Sequence, residues 1–348
     1  MGIKPYQTIG PMQAPETLGK NVNNPQSSEP ERSSPLVLVG ASARSAAQSL
    51  ARSDVRCVTI DQYCDVDTLQ SAKSSHLAVT TEQLRTILAS YPNHRWAACG
   101  EWPGMIEAMD SIADADCRSR FLPGCETWHA ASAFPLLQSA AAKAGLSTPL
   151  TTQQKPERAQ DCRLLEKQPA HSGGLGIRWA TGDPECSGDD LVHQQWIEGR
   201  PYGATFLAAA GQVQLLGVCR TIFGRIGNCP FVYKGSLGPI SITLEAERSK
   251  LLIAAHWVAV QSGLTGIFNI DFIRSHSGKI SLLETNPRWS ASSELIERAL
   301  IESKQIAPSH SLMQLSINAM LDQPVPKFDS VGLTNDHWMK RIVYASRQ

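Results

Sequence analysis

Short apolar runs separated by polar clusters alternate along most of the chain, and their periods tell strands from helices. "LVLV", beginning at Leu36, predicts a buried strand that stops at Gly40. "SARSAAQSLARS" behind it is an Ala-rich helix, and "RCVTID" is the next strand, closing at Asp61. Strand, helix and strand around a glycine turn predict a β-α-β unit of the doubly wound type. The alternation continues through "HLAVT" and "RWAACG" to about residue 126. Residues 130–147 predict one helix ending near Gly145. "CRLLEKQP", at 162–169, predicts a strand that runs into the glycine-rich "HSGGLGI". From Leu191, "LVHQQWIEGRPYGATFLAAAGQVQLLGVCRTIFG" holds several more strands, with a turn at Ala210-Gly211. "PFVYKGSLGP", with Tyr233 and Lys234, reads as a loop, either for substrate or purely structural. "EAERSKLLIAAHWVAVQSGL" is an amphipathic helix. "GIFNIDFIR" and "KISLLETNPR" form a hairpin across "SHSGK", and "SASSELIERAL" starts a helix with Ser290 or Ser292 as its cap. Residues 1–34, rich in Pro, Ser, Asn, Gln and Glu, show no period and are expected to be a disordered arm.

Composition narrows the class. The chain has 348 residues, enough for two or three domains with real cores. Lys plus Arg and Asp plus Glu number 32 each, a balance that argues against a general nucleic-acid binder. No apolar run reaches the roughly 18 residues of a membrane span, and the N-terminus lacks the apolar core of a secretory signal. Met1-Gly2 invites a myristoylation reading, but Tyr6 stands where Ser or Thr is needed. Nine cysteines, odd in number and without a CxxC pair, speak against zinc and against a disulfide framework. They read as free thiols of a reducing cytoplasm.

Four segments hold candidate chemistry. The turn Gly40-Ala41-Ser42 lies where a dinucleotide site begins, but Ser42 and Ser45 replace the glycines of GxGxxG, which favours a structural turn. Lys167 sits at a strand end, five residues ahead of Ser172-Gly173-Gly174-Leu175-Gly176. Glycines let backbone N–H groups approach a polyphosphate, and the lysine adds fixed positive charge. A flexible hairpin turn with a surface lysine is the plain alternative. In "QQWIEG", the Gln194 amide can read a base edge while Trp196 and Ile197 give apolar cover; an ordinary strand with a buried Trp accounts for it equally. The hairpin is the most specific of the four. Asp271 sits among apolar neighbours, and Glu284 and Asn286 share one face of the next strand. Two carboxylates and an amide make a hard oxygen cage suited to Mg2+ shared with phosphates. Arg288 joins that face if the strand persists past Pro287, where it would stabilise a phosphoryl or tetrahedral anion.

In this order the segments resemble the ATP-grasp superfamily of ligases, over roughly residues 35–320. The resemblance implies a mixed α/β and α+β fold: an ATP-grasp fold behind a Rossmann-like pre-ATP-grasp domain. Its boundaries would be an arm at 1–34, the Rossmann-like domain at 35–128, the two ATP-grasp subdomains at 129–320 with ATP between them, and a C-terminal segment at 321–348. It implies that Lys167 and the 172–176 loop hold phosphates, with Lys167 also catalytic. Gln194, Trp196, Ile197 and Glu198 take the adenosine, Asp271, Glu284 and Asn286 hold one or two Mg2+ (Mn2+ as a substitute), and Arg288 serves the reaction centre. Within the superfamily, "LVGASARSAAQSL", "FVYKGSLGP" and "NPRWSASSELIERA" are most similar to a carboligase-like group linked with one-carbon coenzyme biosynthesis, which includes the tyramine–glutamate ligase branch.

Three positions depart from the pattern. Pro201 stands where an acid usually grips the ribose, leaving Glu198 or another group to replace it. The first nucleotide lysine has no candidate but Lys143, inside a helix. The chain ends at "KRIVYASRQ", where further strands are expected, as in a shortened member. The implied activity joins a carboxylic acid to an amine through an acylphosphate. The partners are thus small molecules, not nucleic acid or membrane, with a homodimer as the assembly allowed. An ATP-binding module without turnover and a biotin-carboxylase-like carboxylating enzyme are the alternatives.

Overall fold

The computed structural model describes residues 36–112, 121–153, 163–168, 171–180, 191–241, 245–329 and 338–344. The arm expected at 1–34 lies outside them. The first layer is built from β1 (Leu36–Gly40), α1 (Arg44–Ala51), β2 (Val58–Asp61), α2 (Val66–Ser71), β3 (Ser74–Leu77), α3 (Thr81–Leu88), β4 (Arg95–Ala98), α4 (Met105–Ile112) and β5 (Phe121–Leu122). Its strands are parallel in the order β3-β2-β1-β4-β5. Alternation along β1 divides its side chains between two cores. Val37 and Val39 pack with Ile60, Leu84, Trp96 and Met105, while Leu36 and Leu38 pack with Ala47 and Leu50 of α1. Helix α3 starts at a capping box in which Thr80 and Gln83 satisfy each other's backbone.

The strand order reverses between β1 and β4, which opens a crevice at their C-terminal ends. A Cβ at Gly40 would overlap the Cys99 carbonyl, so close strand packing requires this glycine. The Asp61 carboxylate accepts from the Ala43 N–H at the head of α1 (2.9 Å) and from the Tyr63 and Cys64 N–H groups (3.0 and 2.7 Å). The head of α1 behind the Gly40 turn is thus held by a carboxylate from the end of β2.

The single helix expected over 130–147 is two, α5 (Cys125–Ser132) and α6 (Phe134–Ala144). Pro135 has no N–H with which to continue the first helix, and Ala133 turns extended (ψ 124°) between them. Helix α6 ends at Gly145, which is left-handed (φ 62°). A four-stranded sheet follows, from β6 (Thr151–Thr152), β7 (Leu164–Lys167), β8 (Ile177–Trp179) and β9 (Val192–Gln195), in the order β6-β9-β7-β8.

The largest sheet is antiparallel and six-stranded. It contains β10 (Arg200–Ala209), β11 (Gln212–Ile226), β12 (Cys229–Gly238), β13 (Gly266–Arg274), β14 (Ile280–Asn286) and β15 (Trp338–Arg341), in the order β14-β13-β10-β11-β12-β15. Ala210 (φ 48°) and Gly211 (φ 72°) form the tight turn between β10 and β11. "PFVYKGSLGP" is strand, not loop: Val232 and Tyr233 pair with β11, and Gly235 (φ 149°) fits where the Lys340 carbonyl of β15 comes too close for a Cβ. Helix α7 (Glu245–Ser262) packs with α6 on one face, over Phe206, Phe268, Ile270 and Leu282. On the other face, Leu207, Leu216 and Ile267 meet α1, α8 (Ser293–Glu302) and α9 (Leu312–Met320) through Leu50, Leu295, Leu300 and Leu312. Ser292 occupies the N-cap position of α8 without capping through its side chain. Its hydroxyl instead pairs with that of Ser290 (2.9 Å), and Ser293 Oγ accepts from the Ser290 N–H.

The six cysteines among the described residues (57, 64, 99, 125, 219 and 229) are free thiols. Among the described residues no helix is long and apolar enough to cross a membrane.

Candidate active site

Strand β13 splits its residues by parity. Phe268, Ile270 and Phe272 enter the core under α7, which leaves Asn269 and Asp271 on the opposite face. Strand β14 begins with Ile280 and Leu282 in that same core. Simple alternation would keep Glu284 with them. The register slips here: Phe272 pairs with Leu282, but Asp271 pairs with Glu284, and Leu283 is the extra residue of a bulge. The bulge turns Glu284 and Asn286 over to the face of Asp271 and Asn269. The carboxylates are not buried within apolar strands, as the sequence suggests. Asp271 is partly exposed, and half of the Glu284 side chain is open.

Hydrogen bonds knit this face together. Asn269 Nδ2 donates to Asp271 Oδ1 (2.6 Å), and Thr205 Oγ1 on β10 donates to Asn269 Oδ1 (3.3 Å). Asn286 Nδ2 donates to Asp271 Oδ2 (3.1 Å) and Glu284 Oε1 (3.4 Å). A Cβ at Gly203 would press on Asn269 and Asp271 at 3.0 Å, so the neighbouring strand leaves room for the cluster. Strand β14 does not persist past Pro287. Arg288 returns to the face anyway: its N–H donates to the Asn286 carbonyl (2.9 Å) and its Nη2 to Asn286 Oδ1 (2.9 Å). The next residue, Trp289, anchors the loop by donating from Nε1 to Ser45 Oγ of α1 (3.0 Å).

Lys167 Nζ reaches the same cluster, 3.7 Å from Glu284 Oε2. The two carboxylates are driven apart in acidity. Although both side chains reach the surface, the protein packed around them takes water from Asp271, and this, followed by the charge of Glu284, holds Asp271 above its usual range. Desolvation works against ionised Glu284, but Lys167 and the hydrogen bond from Asn286 outweigh it and hold Glu284 below its usual range. A divalent cation between them would offset the repulsion of the two carboxylates. Among the described residues no three His, Cys, Asp or Glu side chains converge as a metal group. Two carboxylates with an amide fit Mg2+, which usually takes one or two carboxylates and completes its shell with water and substrate phosphates.

The glycine-rich loop touches all three sheets. It leaves β7 after Lys167; Ser172 Oγ donates to the Glu101 carbonyl beyond β4 (2.7 Å), and the Gly173 carbonyl accepts from the Tyr233 N–H of β12 (2.8 Å). Gly174 (φ 74°) lies against the Phe231 carbonyl, where a Cβ would overlap. Leu175 is the exposed tip, and Gly176 accepts from the Gln168 N–H (2.9 Å).

Gln194 is buried and opposite Leu165, so it shares the face of β7 that carries Lys167. Its Nε2 donates to Thr151 Oγ1 (3.1 Å). Trp196 joins an aromatic cluster with Trp179 (5.1 Å between centroids) and Phe231 (5.5 Å), and the Arg163 guanidinium lies 4.0 Å over Trp179. Ile197 is partly buried and Glu198 exposed on the linker into β10, whose Gly199 (φ 155°) passes tightly over the Arg274 carbonyl. Lys143 is not placed as the first nucleotide lysine: its ammonium sits 5.3 Å from the Trp257 ring, between α6 and α7.

Two contributors escape a reading of the sequence. Asn269 carried a signal, since it lies two residues before Asp271 on a strand. Glu101, in the crevice after β4, carried none. Burial pushes its carboxyl up to about 7, with Glu284 adding to the rise and Arg288 opposing it.

Residues 136–292 match the family model described as an ATP-grasp domain. No curated protein matches the chain. Among solved structures, N5-carboxyaminoimidazole synthetase from Staphylococcus aureus complexed with ADP superposes with a TM-score of 0.60 at 12% identity, covering 85% of this chain and 79% of that one. L-amino acid ligase from Bacillus licheniformis gives 0.56 at 14% identity, over 84% and 75%. The biotin carboxylase-β,γ-ATP complex from Campylobacter jejuni gives 0.62 at 14%, over 87% and 74%. The fold is the ATP-grasp fold, with a parallel sheet ahead of it. An ATP-grasp domain thus occupies residues 136–292 of this chain.

Proposed function

We propose that this protein is an ATP-dependent carboxylate–amine ligase that works through an acylphosphate and releases ADP and phosphate. The observation that carries the proposal is the meeting of Asp271, Glu284 and Asn286 with Arg288 on one side and Lys167 on the other. Asp271, Glu284 and Asn286 would hold Mg2+ there, and the ion would supply positive charge to offset that of the ATP phosphates. Lys167 and the N–H groups of the 172–176 loop would hold the phosphates. Gln194 would accept from the adenine amino group through its oxygen, since its Nε2 is engaged by Thr151, while Trp196 and Ile197 cover the ring. Arg288 would meet the charge that grows during phosphoryl transfer and during attack of the amine. Pro201 has no acid to offer the ribose, and Glu198 is the nearest exposed one on the linker.

Small acids and amines in the cytoplasm, coenzyme biosynthesis as the setting and a homodimer as the assembly all belong to this proposal. The similarity of fold to N5-carboxyaminoimidazole synthetase and biotin carboxylase supports a second reading, carboxylation with bicarbonate. An ADP-release screen of acids and amines, with and without Mg2+ and bicarbonate, separates the two. Dependence on an acid and an amine supports the ligase, and dependence on bicarbonate the carboxylating enzyme. ATP binding without turnover leaves a nucleotide-binding module.

A further inference from the structure

A second polar cluster lies beside the Arg288 loop, at the mouth of the crevice between β1 and β4. Among the described residues, Glu294 in the first turn of α8 is the carboxylate that Arg44 and Lys340 share. One oxygen of Glu294, Oε2, accepts from both Arg44 Nη2 at the start of α1 (3.2 Å) and Lys340 Nζ on β15 (3.1 Å). Arg298 approaches the other oxygen at 3.8 Å and also lies over the Trp338 ring. Among the described residues neither Arg44 nor Lys340 has a second carboxylate. Both side chains are largely shielded, with 24% and 14% of their surface exposed. Two shielded cations on one oxygen leave positive charge uncompensated, which is costly without a further anion.

The cluster joins the reaction site by short steps. Lys340 Nζ also donates to the Ala291 carbonyl (3.4 Å), three residues along the loop from Arg288. Ser236 pairs with Lys340 in register, and its hydroxyl meets that of Tyr233 (2.8 Å). The Tyr233 phenol is pushed well up, first by burial, and it feels the charges of both Asp271 and Glu294. On the crevice side, Trp289 is held by Ser45, next to Arg44. In a doubly wound sheet this crevice is where ligands bind.

We propose that Arg44 and Lys340 form an anion subsite for the acid substrate, which carries a second carboxylate, or an equivalent anion, besides the one that is activated. This rests on the ligase reading and narrows its substrate class. Arg44 Nη1 also donates to Gln48 Oε1 (2.9 Å), so the second anion would take the donors of the guanidinium and ammonium that Glu294, Gln48 and the Ala291 carbonyl leave over, while Glu294 holds both in place.

The test is calorimetry on the full chain with Mg2+ and a non-hydrolysable ATP analogue. α,ω-Dicarboxylates from succinate to adipate are titrated beside the monocarboxylates of equal length. At least one diacid should bind about tenfold or more tightly than its monoacid. Lys340→Met and Arg44→Gln should each remove that preference and leave affinity for the nucleotide analogue unchanged, and Lys340→Arg should restore most of it. If no diacid is preferred, or if the variants lower the melting temperature without moving the preference, the cluster is a structural clamp and the subsite is refuted. ADP release separates the two readings. Diacid binding without turnover leaves the subsite and removes the ligase, whereas turnover that is indifferent to the second carboxylate does the reverse.

Discussion

Asp271 and Glu284 face each other across β13 and β14 because Leu283 is an extra residue between them. Ile280 and Leu282 anchor the first half of β14 in the core under α7. A regular strand with the same sequence would send Glu284 towards that core and away from Asp271. The bulge lets one short strand serve both a hydrophobic face and a polar one.

Glu284→Ala removes the more acidic member of the pair and leaves the core contacts of β14 untouched. Mg2+-dependent ADP formation should disappear while the melting temperature stays close to that of the wild type. Full ADP formation with an unchanged Mg2+ dependence would show that the ion lies elsewhere.

Lys167→Met keeps the stem of the side chain and removes its charge. A charge-assisted contact to phosphate is worth about 1.5–3 kcal/mol, so the dissociation constant for ATP should rise about tenfold or more. An unaltered constant by calorimetry would place Lys167 outside the nucleotide site.

Asn269 lies opposite Asn286 and donates to Asp271 Oδ1, which makes it a positioning residue. Asn269→Leu should raise the Mg2+ concentration for half-maximal ADP release by about 10- to 100-fold. Asn269→Gln, an amide on a longer stem, should recover part of the loss. If the leucine variant loses turnover at all Mg2+ concentrations with its metal dependence unshifted, the residue does something other than set Asp271.

Glu101 links the site to stability. Its carboxyl is raised from 4.5 to about 7 by burial, so the folded chain binds a proton that the unfolded chain has lost between those values. Stability contributed by this group is therefore lost as pH rises through that window. Glu101→Gln should be the more stable protein at pH 8, on the order of 2 kcal/mol. The advantage should vanish below about pH 4, where the Glu101 carboxyl is mostly protonated in the folded and the unfolded chain alike. Equal advantage at both values would point to packing rather than ionisation.

β1 and β2 are legible as short continuous apolar runs buried on both faces, and the 266–286 hairpin and the glycine loop by alternation or an obligatory turn. The helix break at Ala133 was announced by Pro135 but masked by the apolar run around it. Strand β12 was hidden because its glycines read as loop, although Gly235 is there for the close approach of β15. Asp271, Glu284, Asn286 and Lys167 meet as the sequence implies. The bulge that brings them together has no local signature, since parity alone puts Glu284 with Leu282. Glu101 and the pair Arg44 and Lys340 come from distant segments, and only the packing of the sheets assembles them.

The central claim is that this site turns over ATP, and Arg288 tests it most directly. Arg288→Lys keeps the charge and loses the planar pair of donors. The measurement is steady-state ADP release, on an acid and amine pair found by screening, beside equilibrium ATP binding for wild type and variant. Turnover should fall at least about a hundredfold while ATP affinity changes by only a few-fold. A wild type that binds ATP normally but is moved to turnover by no acid and amine pair, or a variant whose loss lies entirely in ATP binding, would contradict the account.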